Sequence, residues 1–127
     1  MSLTSIIGKF FVPRQQELKR YDDEGEAMQR HVLATLLESA KDTEYGRKHL
    51  FDIANGQYDG FVAHTPLNSY EELKGDIDRM RHGESDVLWP GVVKWYAKSS
   101  GTTNDKSKFI PVSRQGLKDT HYRGGQD

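Results

Sequence analysis

Lys98, Ser99, Ser100, Gly101, Thr102, Thr103, Asn104, Asp105, Lys106, Ser107 and Lys108 follow one another with no large apolar residue among them. Together these residue types are suited to holding phosphate. Hydroxyls at Ser99, Ser100, Thr102 and Thr103, with free backbone N–H groups, offer short hydrogen bonds to phosphate oxygens. Gly101 lets the backbone approach closely, while Lys106 and Lys108 bring positive charge. A bare Ser-Gly-Thr triplet is usually a polar hairpin loop with no ligand; the full stretch is far more specific.

It is not a kinase-type P-loop. That motif sets a second glycine five residues after the first, followed by Lys and Ser/Thr and then a helix. Here Lys106 stands where that glycine would be, and the chain continues as Phe109-Ile110-Pro111, which is strand-like. Proline at 111 would be a poor second-turn residue for a helix.

Two β-branched and aromatic runs must position the loop, 92–97 before it and 109–112 after it. On the first, Trp95 and Tyr96 point to opposite faces, one into the core; the other is a candidate for lining a nucleotide or acyl pocket, although strand aromatics are more often packing residues. Most of the chain ahead of these strands reads as helical. Residues 4–12 form a short helix ending near Pro13, and 14–21 a second one stopping at Asp22-Asp23-Glu24-Gly25. The strongest helix is 26–41, with Met28, Val32, Leu33, Leu36, Leu37 and Ala40 in one apolar stripe. Thr43 introduces a short helix, and 51–68, carrying Gly56, Gly60 and Pro66, reads as an irregular linker.

Ser69 with Glu72 three residues later is a capping box opening a helix to Arg81. Leu73, Ile77 and Met80 form its buried face, and Arg79, Arg81 and His82 favour its C-terminal dipole before Gly83 ends it. Asp76 and Asp78 point to different faces and are expected in solvent. Trp89-Pro90-Gly91 turns the chain into the first strand, and Ser113 caps a final helix over 114–122. The fold class is α+β: a helical part over 1–82, a strand–loop–strand over 92–112, and a closing helix.

The run from Tyr96 to Val112 resembles the phosphate loop of the adenylate-forming enzymes. More narrowly it resembles the auxin-responsive promoter family of acyl acid–amido synthetases, whose loop reads Ser-Ser-Gly-Thr-Ser-Gly-Gly-Lys-Pro-Lys before an apolar-Ile/Met-Pro segment. Thr43-Glu44-Tyr45-Gly46, Thr65-Pro66-Leu67, Ser69 to Lys74, and Ile77 to Met80 before Gly83-Glu84 occur in the family's order. The likeness spans roughly residues 25 to 120. It implies that Ser99, Ser100, Gly101, Thr102, Thr103, Lys106 and Lys108 bind the phosphates of ATP, supplied with Mg. Asn104 and Asp105 replace family glycines, and Ser107 replaces a proline. Asn and Asp tolerate left-handed backbone best among non-glycine residues, so the loop shape can persist.

The same resemblance implies a fragment: the N-terminal piece of a larger adenylate-forming α/β fold. Family enzymes activate a carboxylic acid as acyl-AMP and conjugate it to an amine such as an amino acid. The motifs for adenine, ribose and magnesium lie beyond this loop, so the isolated chain is expected to be inactive. Its strand edges and apolar faces are expected to make it self-associate. The alternative reading is a stand-alone, non-catalytic helical and hairpin binding module.

Composition narrows the rest. A chain of 127 residues suits a single domain, here a partial one. Formal net charge is −1 and no basic block stands out, against a dedicated nucleic-acid binder. With no cysteine, disulfides and thiolate zinc sites are excluded. The apolar patch Ile6-Ile7 and Phe10-Phe11-Val12 is too short to span a membrane and has no signal-peptide pattern. A cytoplasmic protein is expected. His31, His49, His64, His82 and His121 have no metal-ligand spacing, and His31 is expected at the surface.

Overall fold

The computed structural model describes residues 3–54, 56–99 and 107–122, with only the backbone described for 3–18, 22 and 121. Its first element, α1, runs unbroken over Leu3–Ala40. The expected breaks at Pro13 and at Asp22–Gly25 do not occur. Ending a helix and starting another forfeits a nucleated ladder, whereas an interior glycine costs only about 1 kcal/mol relative to alanine. Ion pairs four residues apart, Arg20 with Glu24 and Glu26 with Arg30, brace the helix on either side of Gly25.

Among the side chains described on α1, those of its C-terminal turns enter the core. Leu37 and Ala40 are buried, Met28 and Leu33 half-buried, and Val32 and Leu36 exposed, so the apolar stripe is only partly covered. The corner into α2 (Glu44–Lys48) is made by Thr43. Its hydroxyl donates to the Ala40 carbonyl at 2.7 Å and accepts from the Gly46 N–H at 2.9 Å, serving both helix ends.

Residues 51–68 are more ordered than a linker. They form α3 (Phe51–Ala54) and α4 (Tyr58–His64). The glycines that suggested a linker are sites of close approach. Gly56 sits at φ +70° against Ala34 of α1, and a Cβ on Gly60 would lie 3.1 Å from Ala54. Tyr45, Phe51 and Phe61 meet ring to ring at 6.0 Å, and the His49 ring packs at a 47° tilt against Tyr45, 4.3 Å between centres. His49 is buried, and its Nδ1–H donates to the His64 carbonyl at 2.9 Å.

Helix α5 (Tyr70–Arg81) opens on the expected capping box and buries Ile77 and Met80. Beyond it the chain doubles back. Glu44 and Tyr45 at the start of α2 donate their backbone N–H groups to Asp86 and Val87, so two orphan donors of that helix are satisfied. Met80, Val87 and Val93 form the core here, with Leu88, Trp89 and Tyr96 packed around it.

The sheet is an antiparallel pair, β1 (Trp95–Lys98) and β2 (Phe109–Val112), in the register Trp95↔Val112 to Lys98↔Phe109. β1 starts at Trp95 rather than Val92 because its partner ends: after Val112, Ser113 caps α6 (Arg114–Gly116). The closing helix is not uniformly α; Leu117–His121 is a π-helical turn. The α+β reading holds. Among the described residues, no helix is long and apolar enough to cross a membrane.

Candidate phosphate-binding hairpin

The two strands converge on the hydroxyl- and lysine-rich loop. Of its seven expected ligands, Ser100, Gly101, Thr102, Thr103 and Lys106 lie outside the described residues, while Ser99 and Lys108 form its base. They face each other across the hairpin. The Ser99 N–H donates to the Lys108 carbonyl at 2.9 Å, and the Lys108 N–H donates to the Ser99 hydroxyl at 3.1 Å. The Ser99 side chain thus takes the place of its own carbonyl in the last rung, and the loop starts from a closed neck.

Helix α5 supports that neck. The Tyr70 hydroxyl accepts from the Phe109 N–H at 3.0 Å. The Arg81 guanidinium lies 3.7 Å from the centre of the Phe109 ring, and the Lys108 ammonium lies 5.5 Å over the Tyr70 ring. Arg81 is itself held by Asp78 at 3.1 Å. The sequence named Arg81 only for the C-terminal dipole of its helix, and Tyr70 only inside the run 69–74 that opens that helix; neither role says anything of a contact with Phe109.

Tyr96 packs in the core, where burial raises its phenol pKa and its hydroxyl has no hydrogen-bond partner among the described residues. Trp95 takes the opposite face and stays 48% exposed beside Lys94 and Arg114.

Asp76 and Asp78 are not free in solvent; each pairs with the arginine three residues on. Arg79 bonds Asp76, Glu44 and Glu84 together. It holds the Glu44 and Glu84 carboxyls below the usual carboxylate range by hydrogen-bonding their ionised forms. Among the described residues, no group of three His, Cys, Asp or Glu is placed to hold a metal ion.

Residues 14–126 match the model of the GH3 family N-terminal domain. Similar proteins include the indole-3-acetic acid-amido synthetase GH3.15 of Arabidopsis thaliana, 34% identical over 71% of this chain and 15% of the relative. Another indole-3-acetic acid-amido synthetase of that plant, GH3.4, is 31% identical over 80% of this chain and 17% of the relative. Its 4-substituted benzoates-glutamate ligase GH3.12 is 29% identical over 81% and 18%. The chain therefore spans only about 15–18% of the length of these relatives. The match over 14–126 is wider than the likeness visible in the motifs alone, and it places this chain in the GH3 family, aligned with that family's N-terminal domain.

Proposed function

We propose that this domain is the phosphate-gripping part of an ATP-dependent ligase that activates a carboxylic acid as acyl-AMP and joins it to an amine such as an amino acid. The observation that carries the reading is the closed neck: Ser99 and Lys108 lock a strand–loop–strand hairpin below a run of hydroxyls and lysines. That donor set fits a polyphosphate, which presents many acceptor oxygens and needs compensating charge. The names of the relatives agree in kind, since they describe amide formation on indole-3-acetic acid and the ligation of benzoates to glutamate.

ATP enters as a substrate with its Mg, for which the described residues supply no ligand set. A carboxylate oxygen attacks the α-phosphorus and pyrophosphate leaves; the amine nitrogen then attacks the acyl carbon and AMP leaves. The chain's contribution is positional and electrostatic. Ser99, Ser100, Thr102 and Thr103 donate to the β- and γ-phosphates, Gly101 admits them close to the backbone, and Lys106 and Lys108 offset the charge on departing pyrophosphate. The reading includes a cytoplasmic location, where ATP is at hand.

The test is ATP–pyrophosphate exchange by the intact protein, assayed with a panel of aromatic and aliphatic carboxylic acids. Exchange that depends on one class of acid is expected. No exchange with any acid, from a protein that binds ATP, would overturn the proposal.

A further inference from the structure

In the β1–β2 pair, the Phe109 N–H points away from β1, because its acceptor is the Tyr70 hydroxyl on α5 rather than a carbonyl of the neighbouring strand. Phe109 is the first residue of β2 and follows directly on Lys108. A bond at this position fixes the direction in which the loop's last lysine leaves the sheet. The same tyrosine touches that lysine a second way, through its ring face 5.5 Å from the ammonium. Tyr70 in turn sits next to Ser69, whose capping box with Glu72 holds the first turn of α5 in place. Arg81, at the far end of α5, presses on the Phe109 ring. One helix therefore grips the exit of the loop at both its ends.

We propose that Tyr70 is a positioning residue for phosphate binding: its hydroxyl sets the backbone at the exit of the loop and its ring sets the reach of Lys108. This rests on the phosphate-gripping role proposed above. Tyr70 touches no reacting atom; it acts through Lys108 and Phe109. The two handles are separable. Tyr70→Phe removes the hydroxyl and keeps the ring, leaving the Phe109 N–H without its acceptor. Tyr70→Leu removes both.

The experiment uses the intact protein, measuring acid-dependent ATP–pyrophosphate exchange with KM for MgATP, KM for the acid, kcat and the thermal midpoint of each variant. Tyr70→Phe should raise KM for MgATP about two- to tenfold, the span of one net hydrogen bond, with KM for the acid and the thermal midpoint held. Tyr70→Leu should raise it further. Amide hydrogen exchange should show Phe109 losing protection in Tyr70→Phe while Met80 keeps its own. Unchanged KM for MgATP in both variants of an active protein would overturn the role of Tyr70 and leave the proposed function standing. Equal loss in both Michaelis constants together with a lowered midpoint would reduce Tyr70 to a packing residue and overturn it too. A wild-type protein without exchange would remove both proposals.

Discussion

Arg79 of α5 clasps Glu44 of α2 at two points, Nη1 to Oε1 at 3.0 Å and Nη2 to Oε2 at 2.6 Å. A fork on a carboxylate fixes orientation as well as distance. The same guanidinium also donates to Glu84, so α2, α5 and the segment after α5 meet on one cation. Backbone bonds from Glu44 to Asp86 and from Tyr45 to Val87 join the same pieces. This junction places α5, and hence Tyr70 and Arg81, against the hairpin.

The junction should fail in acid. Hydrogen bonds from Arg79 lower the pKa values of Glu44 and Glu84 in the folded chain. The unfolded chain then takes up protons more readily, so the stabilisation is complete above the unfolded glutamate value of about 4.3 and is lost as pH falls through the lower folded values. Thermal unfolding followed by circular dichroism between neutral pH and pH 3 should show a steep loss in the wild type. Arg79→Met should unfold at lower temperature at neutral pH and show a shallower acid slope. Parallel slopes would show that the fork contributes nothing to acid sensitivity. Added salt should narrow the gap, because these groups are partly exposed.

Two glycines should respond to alanine in opposite directions. A Cβ on Gly46 would stand 2.0 Å from the Ala40 carbonyl oxygen, at the corner Thr43 holds together. No side-chain rotation relieves a clash with backbone, so Gly46→Ala should cost at least 1–3 kcal/mol, about the scale of overpacking. Gly75, in the middle of α5, has nothing within 4 Å of its position. Gly75→Ala should stabilise by roughly 0.5–1 kcal/mol through helix propensity. Urea denaturation of the pair settles both, and equal midpoints would contradict the tight α1–α2 corner.

Features that depend on neighbouring residues were legible in the sequence. Ser69 and Glu72 announce their helix because a capping box is complete within four residues, and Ser113 does the same for α6. The strand pair could be read from its β-branched and aromatic runs. What misled was punctuation. Pro13 and Gly25 look like stops, yet α1 passes through both, and Gly56 and Gly60 look like loop residues when they are points of close packing. Features made by distant partners left no local mark. The bond from Phe109 to Tyr70 spans 39 positions and that from Arg79 to Glu44 spans 35, so no window of sequence contains both ends. The pairing of Asp76 with Arg79 and Asp78 with Arg81 did lie within one helical turn, and that spacing could have revealed it.

Loop hydroxyls should separate from neck hydroxyls. In the intact protein, Ser100→Ala or Thr102→Ala should lower exchange on the order of a hundredfold, the effect of removing one positioned donor in a transition state. Their thermal midpoints should stay near the wild type, since a polar loop gives these hydroxyls no core to hold. Ser99→Ala is different in kind. Its hydroxyl accepts the Lys108 N–H, so the change should lower both exchange and the protection of the Lys108 amide. Full exchange in the Ser100 and Thr102 variants would make the loop a structural feature only.

The 127-residue chain by itself should associate in solution through the outer face of the hairpin. Alternation along the strands puts Trp95 and Ala97 of β1 beside Val112 and Ile110 of β2 on one face, opposite Tyr96, which packs in the core. Trp95 is 48% and Ile110 51% exposed, and exposed Val92 extends the patch. The strand edges are unequal. β2 is tied to α5 at Phe109 and has no N–H to offer at Pro111, whereas β1 carries no proline. Pairing between copies should therefore run through β1, burying Trp95 as two hairpins merge into one wider sheet. Sedimentation at rising micromolar concentration should show a monomer giving way to dimer, with a blue shift in tryptophan emission. Ile110→Lys should shift the balance back to monomer without loss of helical signal, because that side chain faces solvent in the single copy. A wild-type chain that stays monomeric across the same range would show that this face needs no cover, and the prediction would be abandoned.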